Sequence, residues 1–324
     1  MGTTQRGCAP LDPAMIRLAT SMSAAYSRPM EWITARRTIV IDSRPLVMGI
    51  LNLTPDSFSD GGRWLDPARA VERAYELEAE GADLLDLGAE STRPGAIPVD
   101  AEEEARRLFP VLEALAREGR LAVPIAVDTS KAAIAEGALQ RGAEIVNDVS
   151  GGRFDAGLWP VVARYGAGYV LMHTRGTPLT MGEEAVYGPE GVAAEVAAEL
   201  RAGLARAAAA GIAAERIVLD PGFGFAKTAE QNLELLAGLG AVAALGRPVL
   251  VGLSRKSFLK RIAGEEHLQV STGVGETYAA TRGARIWRTH EVGAARTAAR
   301  LLAGLLTAHP EAEFSTGSPT RPSR

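Results

Sequence analysis

Eight short apolar runs, each followed by a stretch of helical period, constrain this chain more than any other feature of its 324 residues. The runs are LVMGIL (46–51), DLLDLG (83–88), VPIAV (123–127), EIVND (144–148), GYVLM (168–172), RIVLD (216–220), PVLVGL (248–253) and ARIWRTH (284–290). Each is too short for a helix and is bounded by Gly, Pro or Asp. Several are apolar throughout, as strands buried on both faces should be. Between them lie Ala/Glu/Leu/Arg stretches with helical spacing, among them 66–80, 99–118, 130–141, 190–210, 229–238 and 292–307. Asp66-Pro67 opens the first with an N-cap and a proline at the first helical position, and Gly81 closes it. Similar stops stand at Gly142, Gly211 and Gly246. Right-handed crossovers between eight parallel strands close a barrel, so the expected fold is α/β, a single-domain (β/α)8 TIM barrel. An open doubly wound sheet is the competing arrangement. It accounts less well for a count of eight and for polar groups after nearly every strand.

The barrel is placed at 41–308. Residues 1–40 show no clear period and are read as an N-terminal extension with one short helix at 13–25, and the polar, Pro-rich 309–324 as a disordered tail. A barrel of this class takes about 250 residues, which leaves room for these ends, although length alone would also admit two smaller domains. A hydrophobic share of 47% supplies a large core. The net charge of −4 gives no general basic surface, so nucleic acid is not an expected partner. An anionic ligand would have to rest on a few placed Arg and Lys side chains. The single cysteine, Cys8, leaves no internal disulfide or multi-cysteine metal site and suits a reducing compartment. No run of 18 apolar residues is present, so no membrane partner is expected. MGTTQRGCAP has no signal-peptide core, and Arg6 stands where a myristoylation pattern wants Ser or Thr. The expected location is cytoplasmic.

In a barrel, the C-terminal strand ends converge on one mouth. Here those ends read Asn52, Glu90-Ser91-Thr92-Arg93, Asp128, Asn147-Asp148, His173, Asp220, Ser254-Arg255-Lys256 and Arg288-Thr289-His290. Helix N-caps account for some Asp and Ser residues at such turns. They do not account for polar groups at all eight ends, or for Lys256, Arg288 and His290 among them. Arg288 and His290 are two apart on one strand and so point to the same side. The loops NLTPDSFSDGG (52–62) and STRPGA (91–96) are long for this position and suit a lid and a binding loop.

At these residues the sequence resembles dihydropteroate synthase of the folate pathway. The matching stretches are MGILNLTPDSFSDGG (48–62), LDLGAESTRPGA (85–96), VDT (127–129), IVND (145–148), MH (172–173), LDPGFGF (219–225), VGLSRKSF (251–258) and RTHEV (288–292). The resemblance implies an alkyl-group transferase that joins 6-hydroxymethyl-7,8-dihydropterin pyrophosphate to p-aminobenzoate and releases pyrophosphate. It also implies a sulfonamide target and a homodimer. By this similarity Asp128, Asn147, Asp220 and Lys256 read the pterin edge, whose donors and acceptors a buried site must match group for group. Met172 and Phe225 line its apolar slot, with the Arg288 guanidinium stacked on the ring. Thr92, Arg288 and His290 bind phosphate oxygens, and Asn52 helps hold Mg2+, a hard, mostly hydrated ion that needs few protein ligands. Phe58 and Pro94 wall the aromatic amine, and Ser257 at a helix start takes its carboxylate. The implied mechanism is SN1-like: pyrophosphate leaves, Asp128 stabilises the cation, the first loop closes with the help of Asp60, and the amine attacks. His173, Asp86 and Glu90 read as mainly structural.

Three departures stand out. STGVGE (271–276) brings two glycines and a Glu where an apolar, Ala-rich helix is expected, which puts that helix and any dimer contact on it in question. Ala226 and Glu291 replace the more usual Gly and Asp. Two rival readings are a methyltetrahydrofolate–corrinoid methyltransferase and a non-catalytic pterin-binding paralogue. The first would not need the Arg288/His290 pair or the STRPGA loop, and the second should have lost site residues. Both features are present and no site residue is missing.

Overall fold

The computed structural model describes residues 28–54, 66–92 and 95–308. The expected helix at 13–25 and the tail at 309–324 lie outside these residues. The chain begins with an antiparallel hairpin, β1 (Met30–Ile33) and β2 (Thr38–Ile41). Eight parallel strands follow: β3 (Leu46–Asn52), β4 (Leu84–Gly88), β5 (Ile125–Asp128), β6 (Ile145–Asp148), β7 (Gly168–Met172), β8 (Ile217–Asp220), β9 (Val249–Val251) and β10 (Ala284–Thr289). They close into a barrel in chain order, with β10 pairing β3. The expected (β/α)8 barrel is what forms.

The helices outside the barrel are α1 (Pro67–Glu80), α2 (Ala101–Glu118), α3 (Ala132–Gln140), α4 (Leu158–Tyr165), α5 (Val192–Ala209), α6 (Ala229–Ala237), α7 (Gly240–Ala243), α8 (Ser257–Ala263), α9 (Leu268–Thr281) and α10 (Val292–Ala308). Asp66 caps α1 by accepting from the Ala68 N–H at 2.9 Å, and Gly81 ends it at φ +103.

Period-2 alternation divides the core into two. Met48, Leu84, Ala126, Ile145, Val170, Val218, Leu250 and Ile286, one from each strand, form the floor inside the barrel, all fully buried. Their neighbours Val47, Leu85, Val127, Val146, Leu171, Leu219, Val251 and Trp287 face outward into the helices. Below the floor sits the hairpin. Trp32 and Ile41 are completely buried against the inner cluster, and Trp32 Nε1 donates to the Arg216 carbonyl at 2.8 Å. Thr34 and Arg37 hold Glu144 at 2.7 Å each. The boundary placed at 40/41 therefore falls inside this hairpin, and residues 30–41 pack with the barrel rather than extend from it. Strands of four residues with one anchoring tryptophan carry too little period to be seen in sequence.

The segment 271–276 is helical after all, inside α9. Gly273 faces open space, while Gly275 lets the helix approach Leu253, where a Cβ would stand 3.1 Å from Cδ1. Glu276 is 1% exposed, and its Oε1 has no hydrogen-bond partner among the described residues. Burial pushes its carboxyl up to about 8, against a hydrogen bond with Thr289. The folded chain therefore keeps a proton that the unfolded chain releases at ordinary carboxylate pH. Stability conferred at low pH is lost as pH rises from the unfolded value towards about 8. Glu276→Gln should remove this slope. Urea unfolding of both proteins between pH 5 and 9 should show the variant gaining on the parent up to about pH 8 and then keeping a constant lead. Parallel curves would mean that Glu276 is ionised in the fold.

Candidate active site

The same alternation builds the site. Two residues beyond the floor, the inward positions become Asp86, Asp128, Asn147, Met172, Asp220 and Arg288. One layer higher stand Asn52, Ser254 and His290. The polar residues at the strand ends thus share one mouth because the residues below them share one floor.

Arg288 is the hub. Its Nε donates to Asp86 Oδ2 at 2.5 Å and its Nη2 to Asp128 Oδ2 at 2.7 Å. Asn147 Nδ2 donates to the same Asp86 oxygen at 2.9 Å. Asp86 is fully buried, while the Arg288 side chain keeps 20% exposure towards the mouth. Burial raises the Asp128 carboxyl above the usual carboxylate range; Arg288 opposes this, and Asp86 adds to it. Asp128 Oδ1 is buried with no hydrogen-bond partner among the described residues. Burial also raises Asp220, with its bond from the Gly222 N–H and the charges of Lys256 and Arg288 pulling the other way. Asp220 therefore lies within the field of both Lys256 and Arg288.

Met172 is the register partner of Asp220 across β7 and β8 and is buried. Phe225, on the loop after β8, has the Lys256 ammonium 4.4 Å from its ring centre. Gly224 makes room for that lysine, since a Cβ would stand 3.1 Å from Lys256 Cδ. At the upper layer, Ser254 Oγ meets His290 Nδ1 at 3.0 Å, which leaves His290 Nε2 facing Asn52 Nδ2 at 3.5 Å. Thr92 is half-buried at the edge of the described residues, and Ser257 is exposed at the first position of α8. Phe58, Asp60 and Pro94 lie outside the described residues.

No group of three His, Cys, Asp or Glu side chains that could hold a metal gathers among the described residues. At the upper layer the neutral amide of Asn52 offers one oxygen, with the His290 ring beside it. Such a set fits a hard cation that takes most of its ligands from diphosphate and water.

Behind the mouth, two clusters carry weight that the strand ends did not announce. Lys131 bridges Glu90 and Glu104 at 2.6 Å each, and Glu90 also accepts from the Val99 N–H, bracing the loop after β4 against β5. Lys227 reaches beneath the DPGFGF turn to His173, whose imidazole burial pulls down to about 4. Asp86 pairs with Arg288 and Asn147, and Glu90 with Lys131. Lys131, Glu104 and Lys227 were missed. Their signal was faint: Lys131 and Lys227 stand two residues beyond VDT and LDPGFGF, and Glu104 is one of three consecutive Glu residues at a helix start.

Residues 48–290 match the family model described as "Pterin binding enzyme". The dihydropteroate synthase of Mycobacterium leprae is 44% identical over 277 residues, covering 82% of this chain and 95% of that one. A Xanthomonas albilineans dihydropteroate synthase solved with 4-aminobenzoic acid superposes with a TM-score of 0.78 at 40% identity, covering 86% of this chain and 98% of that one. The Thermus thermophilus enzyme in complex with 4-aminobenzoate gives 0.73 at 43% identity over 87% and 99% of the two chains.

Proposed function

This chain belongs to the dihydropteroate synthase family of pterin binding enzymes, and we propose the following roles for its residues in that family's reaction. The reaction joins 6-hydroxymethyl-7,8-dihydropterin pyrophosphate to p-aminobenzoate, giving 7,8-dihydropteroate and pyrophosphate.

The observation that carries this is the buried Asp128 Oδ1, without a hydrogen-bond partner among the described residues, within a cluster of ring-edge acceptors and donors. A buried acceptor left open is costly unless a ligand N–H fills it. Asp128, Asp220 and Asn147 take the pterin's N–H groups, and Lys256 donates to its carbonyl and ring nitrogen. Met172 and Phe225 wall the ring. Arg288 is fixed edge-on by two carboxylates, so a flat face remains for stacking.

The phosphate end falls to Arg288, His290, Thr92 and Asn52. Mg2+ held by Asn52 and the diphosphate would offset charge on the leaving group. Arg288 and His290 present fixed donors where that charge grows. Asp128, negative and close to the ring, stabilises the exocyclic cation left behind. The amine of p-aminobenzoate then attacks, with Phe58 and Pro94 as its walls, Ser257 at its carboxylate, and Asp60 ordering the closed first loop.

We also place the reaction in the cytoplasm, in keeping with the single cysteine, and in a homodimer. The dimer is supported by exposed Val270 and Val274 on α9 and Leu301 and Leu305 on α10, two helices that pack against each other.

The test is pyrophosphate release from the pterin substrate, with and without p-aminobenzoate and Mg2+. Release should require the pterin substrate and rise with Mg2+, and 7,8-dihydropteroate should form when the amine is present. Absence of release under every condition overturns the reading.

A further inference from the structure

The loop from Asp220 to Phe225 supplies both a ring-edge acceptor and an apolar wall. Its backbone is constrained at several points. Gly222 lies at φ +69, and a Cβ there would fall 1.9 Å from the His173 carbonyl oxygen. Gly224, at φ +78, donates its N–H to Asn232 Oδ1 at 2.7 Å. Ala226 lies at φ +48, a left-handed conformation that disfavours any side chain, and is 2% exposed.

Lys227 binds this loop from within. Its Nζ donates to the carbonyls of Gly222 and Phe225, both at 2.9 Å, and meets His173 Nδ1 at 3.1 Å. The other imidazole nitrogen, Nε2, meets Glu199 Oε2 at 3.1 Å, and Arg175 pairs with Glu199 in turn. Glu199 therefore fixes the imidazole with its proton on Nε2 and its lone pair towards the lysine. Tyr187 adds a bond from its hydroxyl to the Ala226 carbonyl at 3.2 Å. One amine thus ties two turns of the loop to each other and to β7's exit, across a residue whose own preference is to leave that conformation.

We propose that Lys227 is a positioning residue for pterin recognition, holding the 220–226 loop in its left-handed turn so that Asp220 and Phe225 meet the ring. This rests on the function proposed above. The lysine itself contacts no substrate. If it let go, Ala226 would relax to negative φ and carry Phe225 away from the slot, whereas a glycine there would have no such preference.

The test separates the two ends of the substrate. The affinities of the purified chain for 6-hydroxymethyl-7,8-dihydropterin, which has the ring without the diphosphate, and for inorganic pyrophosphate with Mg2+ are measured by calorimetry. Lys227→Met should weaken the ring probe by on the order of tenfold and leave pyrophosphate unchanged. Ala226→Gly should recover part of that loss in the Lys227→Met background and change little alone, a coupling that general destabilisation would not produce. Should the methionine variant not yield folded protein, Lys227→Gln, which keeps one amide donor without charge, carries the same comparison with a smaller loss. Equal weakening of both probes, no weakening of either, or the same effect of glycine in both backgrounds overturns the proposal. A parent chain that binds both probes while the lysine variant binds the ring equally well overturns this inference alone. A parent chain that binds neither overturns the functional reading with it.

Discussion

An Arg288→Met chain should be both severely impaired in turnover and markedly less stable. Arg288 pairs with a fully buried Asp86 and a nearly buried Asp128. Removing one partner of a buried pair leaves charge without compensation and costs about 3–5 kcal/mol. Here two carboxylates are stranded together, and Asn147 loses the neighbour that fixes the acceptor it shares. Pyrophosphate formation should fall by on the order of 10^2–10^3, the usual loss for one preorganised donor at developing negative charge. Adding Asp86→Asn should restore part of the urea stability, because it removes one stranded charge, and none of the activity. If the single variant unfolds at the parental urea concentration, the two ion pairs do not hold the mouth together.

The second large effect is expected at Asp128. Asp128→Asn keeps the volume and an oxygen for Arg288 but removes the charge placed beside the developing cation. kcat should fall by about 10^2–10^3 with unfolding little changed. Near-normal turnover would remove Asp128 from the mechanism. Burial holds the Asp128 carboxyl above the ordinary range, so the form required for catalysis is lost sooner as pH falls. The acid limb of the parental kcat/KM profile should therefore lie at higher pH than that of an exposed aspartate.

Much of this was legible because strands alternate with period 2. Each apolar run that reads as a strand also assigns which of its residues points inward, so Ile286 in the floor predicts Arg288 in the mouth and Val218 predicts Asp220. The strand bounds agree with the structure to within two residues for the same reason: Gly, Pro and Asp bracket the runs. Helix α4 escaped notice because LWPVVARY is eight residues long, with a proline in its first turn, and shows barely two turns of period. The hairpin escaped because its placement depends on a tertiary contact of Trp32. The doubt over 271–276 came from two glycines and a Glu where an apolar, Ala-rich helix was expected; Gly275 gives close approach to Leu253, and Glu276 is buried. Its partner Thr289 lies on a strand and faces outward between Arg288 and His290, which single-segment reasoning cannot pair with it. Lys227 was illegible for a related reason. Its partners are carbonyl oxygens and an imidazole on a neighbouring strand, and neither has a sequence pattern.

The hairpin beneath the floor also bears on traffic. With Trp32 and Ile41 filling the lower end and one side chain per strand filling the level above, the cylinder is a cul-de-sac. Pyrophosphate must depart through the same doorway by which the aromatic amine arrives. Sequence of events is then a matter of passage as well as chemistry, since departing and arriving molecules share one opening.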